Sequence, residues 1–254
     1  MAEQVLLERQ GAVLIISINR PERRNAVTRA VSEGIAAGID LLELDSQLSV
    51  GILTGVGGSF CSGMDLNAFV DGKRPEIAGR GLGGITETPP GKPLIAAVEG
   101  YAVAGGCELA LACDLIVAAE NARFGLPEVT RGLVAGSGGL VRLPQKIPRA
   151  IALEYALTGE QFDAPSAHHW GLVNRLSAPG GALEAALALA LQISANAPLA
   201  VAMSKRIITD SDLWDSSEQW LMQTPLVDSI IASEDAREGS LAFTEKRAPQ
   251  WRGK

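Results

Sequence analysis

Leu94-Ile95-Ala96-Ala97-Val98-Glu99-Gly100-Tyr101-Ala102-Val103-Ala104-Gly105-Gly106-Cys107-Glu108-Leu109-Ala110-Leu111-Ala112-Cys113-Asp114-Leu115-Ile116-Val117-Ala118 is the stretch on which the fold of this chain turns. Leu94 to Val98 is a continuous apolar run that reads as a buried strand. Gly105-Gly106 opens a helix that ends near Cys113, and Leu115 to Ala118 makes the next strand. Strand, helix and strand in that order predict parallel βαβ units, hence an α/β fold. Between Leu94 and Ala119 the acidic residues are Glu99, Glu108 and Asp114. A carboxylate within an apolar run is costly to bury without a partner, which makes Glu108 the first candidate functional residue. Asp114, between a helix and a strand, reads as a structural hydrogen-bonding group.

Outward from that stretch the pattern continues. Gln4 to Glu8 and Ala12 to Asn19 read as a β-hairpin about Gln10-Gly11. Thr28 is the expected N-cap of a helix running to about Leu44, and Ser49 to Thr54 reads as a buried strand. Asp71 to Pro93 mixes Gly, Pro and charge and reads as a mobile loop with room for one helix. Its Gly79, Gly81, Gly83 and Gly84 are expected to leave space for a bulky group. Beyond Gly138 helices dominate: Leu140 to Ile147, Arg149 to Leu157, Ala182 to Ala195, Leu199 to Thr209, Trp214 to Ser233 and Asp235 to Lys246. The four tryptophans in this part read as core or interface. No fixed-period repeat is visible.

The bulk properties exclude several classes. With 254 residues, 47% of them hydrophobic and 20% charged, the chain has material for a sizeable core. A net charge of −7 argues against a general nucleic-acid or anionic-membrane surface. Cys61, Cys107 and Cys113 are odd in number and lack CxxC spacing, so they read as reduced thiols of a cytoplasmic protein. The first ten residues carry Glu3 and Glu8 and no long apolar core, unlike a signal or transit peptide. No segment is long and apolar enough for a membrane span.

Four motifs remain. Phe60-Cys61-Ser62-Gly63-Met64-Asp65-Leu66 follows a strand, and Gly63 would let the backbone aim the Met64 N–H into a pocket; taken alone, the motif reads more readily as an ordinary strand-to-helix turn with Asp65 near the helix start. At Gly105-Gly106 the first turn of a helix offers free N–H groups and the positive end of its dipole. Donors from Met64 and Gly105 together would form an oxyanion hole, although close helix packing also calls for small residues. Phe124-Gly125-Leu126-Pro127-Glu128 supplies a second carboxylate behind a stiffening proline. Paired carboxylates suit general acid–base work, in which burial raises one group toward about 6–7. Gly132 to Gly139 lacks Walker, GxGxxG and GxSxG spacing and reads as a cavity wall. His168-His169, the only histidines, do not have metal-ligand spacing, so no metal site is expected.

At these residues the chain resembles the crotonase superfamily, the enoyl-CoA hydratase/isomerase family. The likeness runs from Asn19-Arg20-Pro21-Glu22-Arg23-Arg24-Asn25-Ala26 through the FCSGMDL, GYAVAGGCELALACDL and FGLPE segments to Ala242-Phe243-Thr244-Glu245-Lys246-Arg247. It implies an α/β crotonase-type spiral of repeated ββα units over residues 1–195 and a helical C-terminal trimerisation region over 196–254. The assembly it implies is a homotrimer or a dimer of trimers, a hexamer. It implies hydration of a trans-2-enoyl-CoA by catalytic Glu108 and Glu128, with the N–H groups of Met64 and Gly105 as the oxyanion hole and Gly136 positioning the water. Arg23, Arg24, Ser62, Asp65, Leu66 and Lys246 would bind CoA, Lys246 from a neighbouring subunit. CoA is then the handle of the substrate, no separate cofactor is required, and the setting is fatty-acid metabolism. Ala104 and Ala135 depart from the Gly and Pro common in the family and put substrate size in doubt. An isomerase or another crotonase-type acyl-CoA lyase is the alternative, disfavoured because both carboxylates are kept. An RNA-binding role rests on Arg20, Arg23 and Arg24 alone and runs against the net charge.

Overall fold

The computed structural model describes residues 3–254; the part of the N-terminal reading that concerns Met1 and Ala2 lies outside them. Along the chain come β1 (Val5–Gln10), β2 (Val13–Ile18), α1 (Arg29–Leu44), β3 (Val50–Gly55), α2 (Leu66–Val70), β4 (Leu94–Val98), β5 (Tyr101–Val103) and α3 (Gly105–Ala112). There follow β6 (Leu115–Ala119), β7 (Arg123–Gly125), α4 (Gly139–Lys146), α5 (Arg149–Thr158), β8 (Phe162–Asp163), α6 (Ala164–His169) and β9 (Arg175–Ser177). Four helices close it: α7 (Ala182–Ser194), α8 (Pro198–Ser211), α9 (Gln219–Ile231) and α10 (Glu234–Glu245). The predicted hairpin, the Thr28 cap on α1 and the strand–helix–strand about Glu108 are all present.

Two sheets organise the chain. The larger has the order β1-β2-β3-β4-β6-β9, parallel except for the β1 hairpin, and the smaller is β5-β7-β8. Two further parallel bridges, Val27 to Met64 and Cys61 to Ala102, extend the smaller layer. Each coil of the chain therefore passes from the large sheet to the small layer and then into a helix: β2–Val27–α1, β3–Cys61–α2, β4–β5–α3 and β6–β7–α4. This is a spiral of ββα turns. Ile15, Ile52, Ile95 and Leu115 stand side by side in it, yet unequal lengths of chain separate them. The repeat is spatial, which is why no fixed period is visible in the sequence.

The large sheet is buried on both faces, as parallel sheets generally are, so its strands are nearly continuous apolar runs. Leu14, Ile16, Leu53, Leu94 and Ala96 face the main core with α1 and α3. Val13, Ile15, Val50, Ile52, Ile95 and Val117 face the other way, onto Ala186, Leu189 and Ala190 of α7. That second face accounts for the Ala/Leu-rich composition of α7. Glu99 caps the start of α7, accepting hydrogen bonds from the N–H groups of Gly180 and Ala182.

Asp114 has the structural role expected of it. Its Oδ2 accepts the Leu94 N–H at 2.8 Å and the Lys205 Nζ at 2.6 Å, and Lys205 also donates to the carbonyls of Pro90 and Lys92. One ion pair thus fastens α8 to the start of β4. Two expectations are corrected. Helix α9 begins at Gln219, not Trp214, because Asp215 Oδ1 accepts the N–H and hydroxyl of Ser217 in a local turn that competes with the helix. Residues 82–86 are buried rather than loose. A Cβ on Gly83 would lie 2.6 Å from Leu109 Cδ2, and one on Gly84 would lie 2.6 Å from Ala36 Cβ. Those glycines let the turn seat itself on α1 and α3; they open no space. Of the tryptophans, Trp170 joins Tyr155 and Phe162 in an aromatic cluster, Trp220 is exposed, and Trp251 lies past the last helix. Among the described residues no single helix is long and apolar enough to cross a membrane.

Candidate active site

Coils two, three and four meet at one point. In coil two, Gly63 takes φ +94° and its carbonyl accepts the Val27 N–H at 2.8 Å, while the Asp65 N–H donates to the Val27 carbonyl at 2.9 Å. With both neighbours committed to Val27, the N–H of Met64 between them is left over. In coil three, Gly105 is the first residue of α3, whose opening N–H groups have no partner within the helix. A Cβ on Gly105 would lie 3.5 Å from the Met64 nitrogen, so the two N–H groups border one small space. Neither has a hydrogen-bond acceptor among the described residues. Ala104, immediately before Gly105, has φ +53° and ψ −129°. Such a backbone costs a side-chain-bearing residue roughly 1–3 kcal/mol and persists only where its surroundings impose it. Gly106 is required for another reason: a Cβ there would lie 2.1 Å from the Cys61 carbonyl oxygen, so α3 rests directly on coil two.

Glu108 is on the same first turn of α3 and is 3% exposed. Its Oε1 accepts the N–H groups of Ser137 at 2.6 Å and Gly139 at 3.0 Å, both from the glycine-rich entrance to α4. Gly139 also makes the approach possible, since a Cβ there would lie 3.0 Å from Glu108 Cγ. Burial pushes the Glu108 carboxyl up to about 7, with the neighbouring Glu128 adding to the rise and the two N–H donors and Arg142 opposing it. Glu128, half-buried after Pro127, is likewise raised by burial, and its Oε2 is buried with no hydrogen-bond partner among the described residues. Burial makes both carboxyls resist ionisation, and the charge of Glu128 adds to that at Glu108. One is cradled as an acceptor and the other has an unsatisfied oxygen suited to carrying a proton. The arrangement can therefore take a proton at one carboxyl and give one at the other, beside two N–H groups placed to hold a negative oxygen.

The raised carboxyl has a consequence for stability. A carboxyl whose folded-state value lies above its unfolded one binds the extra proton only when folded, so stability falls as pH rises between 4.5 and about 7. The Glu108→Gln protein, freed of that cost, is expected to melt higher than wild type at pH 8 and alike at pH 4. The gain has an upper limit of about 3 kcal/mol from the size of the shift. Calorimetric melting at the two pH values checks it, and equal melting at pH 8 would mean that Glu108 titrates normally.

The remaining sequence-predicted residues fall into two groups. Gly136 is on the exposed loop leading to Ser137. Ser62 joins Arg23 and Arg24 to the site, donating its N–H to the Arg24 carbonyl at 3.0 Å and its hydroxyl to the Arg23 carbonyl at 3.4 Å. Arg24 lies over the Tyr101 ring at 5.4 Å. Asp65 caps α2, accepting from the N–H groups of Asn67 and Ala68, and pairs with Arg20 at 3.0 Å; Leu66 beside it is exposed. Lys246 stands apart as the left-handed residue that ends α10, its N–H directed at the carbonyls of Ala242 and Phe243. The sequence reading missed Ser137 and Gly139 as partners of Glu108, having taken their segment for a cavity wall alone. Backbone donors leave no side-chain signature; the only available signal was three glycines in Gly136-Ser137-Gly138-Gly139 ahead of a helix.

Comparison with known proteins bears on the chain as a whole. The family described as enoyl-CoA hydratase/isomerase matches residues 8–254. An enoyl-CoA hydratase from Mycobacterium tuberculosis H37Rv is 57% identical, with all of both chains covered and a TM-score of 0.98. An enoyl-CoA hydratase from Mycobacterium marinum is 58% identical over all of both chains, again with a TM-score of 0.98. A carnitinyl-CoA dehydratase from Proteus mirabilis is 40% identical over 262 residues, covering all of both chains.

Proposed function

This chain belongs to the enoyl-CoA hydratase/isomerase family, a crotonase-type hydro-lyase, and from that premise we propose that it adds water across the 2,3 double bond of a trans-2-enoyl-CoA to give a 3-hydroxyacyl-CoA. The observation that carries the reading is the buried Glu108 and half-buried Glu128, both raised by burial, with the free N–H groups of Met64 and Gly105 on the same side of α3 as the Glu108 turn. The thioester oxygen is held by those two donors. As charge develops on it, each donor is worth about 3–4 kcal/mol, because the hydrogen bonds are already aimed when the charge arrives. Glu108 takes a proton from a water as its oxygen bonds to C3. Glu128 delivers a proton to C2, so one water is consumed, its hydroxyl on C3 and a proton on C2. Gly136, on the loop leading to the Glu108 cradle, helps position the water. The reverse reaction, loss of water from a 3-hydroxyacyl-CoA, uses the same groups in the opposite order.

CoA is the substrate's handle in this reading, and no separate cofactor takes part. Arg23, Arg24, Ser62, Asp65 and Leu66 form the side of the site where its nucleotide end lies, and Lys246 reaches it from a neighbouring subunit. A homotrimer, or a dimer of trimers, is supported by apolar residues exposed on the last helices and the turn between them: Leu213, Trp220, Leu221, Ile231 and Phe243. Patches of that kind usually mark interfaces.

The experiment that tests the reading follows loss of enoyl-thioester ultraviolet absorbance across trans-2-enoyl-CoAs of short, long and ring-bearing acyl groups, with carnitinyl-CoA dehydration alongside. Hydration of at least one enoyl ester is the expected result. Tight binding of every ester without turnover would sink it. Conversion of a 3-enoyl ester without hydration of any 2-enoyl ester would select the isomerase reading instead.

A further inference from the structure

The site described above uses Glu108 through its two backbone donors, but a cation faces the same pocket. Arg142 is half-buried on α4, one turn past Gly139, and its Nη2 donates to the Thr86 carbonyl at 2.6 Å. Gly138 accommodates it: a Cβ there would lie 2.1 Å from Arg142 Nη1. Thr86 in turn fixes the buried turn at 82–86, its hydroxyl accepting the Leu82 N–H at 2.8 Å. Leu82 presses on the donor side of the site, since a Cβ on Gly105 would lie 2.7 Å from Leu82 Cδ2. A continuous chain of contacts thus runs from Gly105 through Leu82, Thr86 and Arg142 to the loop that cradles Glu108.

We propose that Arg142 is a positioning residue for the reaction: it clamps the 82–86 turn onto α4, which seats Leu82 against Gly105, and it supplies the positive charge that faces the buried Glu108 carboxylate. The proposal rests on the hydratase reading. The groups that face Glu108 are Glu128, which disfavours its charge, Arg142, which favours it, and the Cys107 thiol, which burial pushes up to about 12 and so keeps neutral. Arg142 is the one cation in that set. Removing it leaves the two N–H bonds intact and takes away the charge, so Glu108 holds its proton more tightly and less of the base form is present at neutral pH.

Arg142→Gln and Arg142→Lys separate charge from reach. Both can donate to Thr86, and only Lys keeps the positive charge. Two readouts are needed: kcat and KM for a trans-2-enoyl-CoA as a function of pH, and titration of the Glu108 side-chain carboxyl by carbon-13 NMR in the substrate-free protein. Arg142→Gln is expected to raise the Glu108 midpoint by about one unit, a tenfold change in its ionisation equilibrium. At neutral pH kcat is expected to fall about fivefold with KM within about twofold, the signature of a group acting on the proton-transfer step. Arg142→Lys is expected to keep both near wild type. An unmoved Glu108 midpoint in Arg142→Gln overturns the proposal, as does equal loss of kcat in both variants without a change in the titration. The NMR titration needs no turnover, so it reads Arg142 even if the protein hydrates no enoyl ester; that outcome would fall on the hydratase reading alone.

Discussion

Glu108→Gln is expected to lower kcat for enoyl-CoA hydration by about a thousandfold, within the 10²–10⁴ range of a lost general base, and to leave KM nearly unchanged. The side-chain oxygen of glutamine can still accept the Ser137 and Gly139 N–H groups, so the cradle survives and only the proton acceptor is removed. Glu128→Gln is expected to fall by a similar factor, since it loses the donor to C2. The double variant should fall little further, because two groups that act as one unit do not contribute additively. In wild type the acid limb of kcat/KM is expected near pH 7, where Glu108 loses its proton, well above the range of an ordinary carboxylate. Activity rises with pH as Glu108 becomes the base form that accepts the water's proton, and falls again where Glu128 loses the proton it must deliver to C2, so the profile is bell-shaped. Stopped-flow rates from pH 5 to 9 check both expectations. A wild-type limb near pH 4.5, or a Glu108→Gln rate within threefold of wild type, would remove Glu108 from the role of base.

Gly106→Ala is expected to be among the most damaging conservative changes in the chain. The new methyl would sit 2.1 Å from the Cys61 carbonyl oxygen and 2.7 Å from its carbonyl carbon, and both are backbone atoms that cannot rotate away. The carbonyl is itself engaged, accepting the Val103 N–H at 3.1 Å. Relief requires α3 to move off coil two. Overpacking of a well-filled interior costs typically 1–3 kcal/mol, and a backbone clash stands at the upper end, about 3 kcal/mol. Gly105 and Glu108 share that helical turn, so the shift displaces the donor and the carboxylate together. Lower chemical-denaturation midpoints and a fall in kcat beyond tenfold are expected in any protein that folds. Gly58→Ala, at a glycine with no atom near the added methyl, controls for loss of glycine freedom, and its positive φ makes it a strict control. A Gly106→Ala protein as stable and active as wild type would mean that α3 does not rest on coil two as described.

The sequence makes some of this legible and hides the rest, for physical reasons. Glu108 stands out because a charge in an apolar run has few structural explanations, and Asp114 because it breaks a helix–strand junction. The strands are legible because two-sided burial leaves them uniformly apolar. What holds Glu108 is not legible: Ser137 and Gly139 act through peptide N–H groups, which every residue but proline has. Arg142 is one of many arginines until the fold brings Thr86 and Gly138 to it. The glycines at 81–84 look like openness in the sequence; in the fold they are close contacts, since a missing side chain serves both. The left-handed backbone of Ala104 could not be read from an alanine, which rarely adopts it.

The coils of the spiral differ in length, and this decides where the protein is free to change. Each strand of the large sheet is aligned by its sideways hydrogen bonds to the strand before it, not by the amount of chain between them. The segment between β3 and β4 is long; the one between β4 and β6 is short and holds both the Gly105 donor and Glu108. Residues inserted or exchanged in the exposed stretch near Asp71 and Lys73 leave the next strand in register. The same edit between Val98 and Leu115 would shift the chemistry itself. The winding that carries Glu108 is thus the tightly spaced one, while the winding that carries the Met64 donor also holds a stretch whose length is free to change.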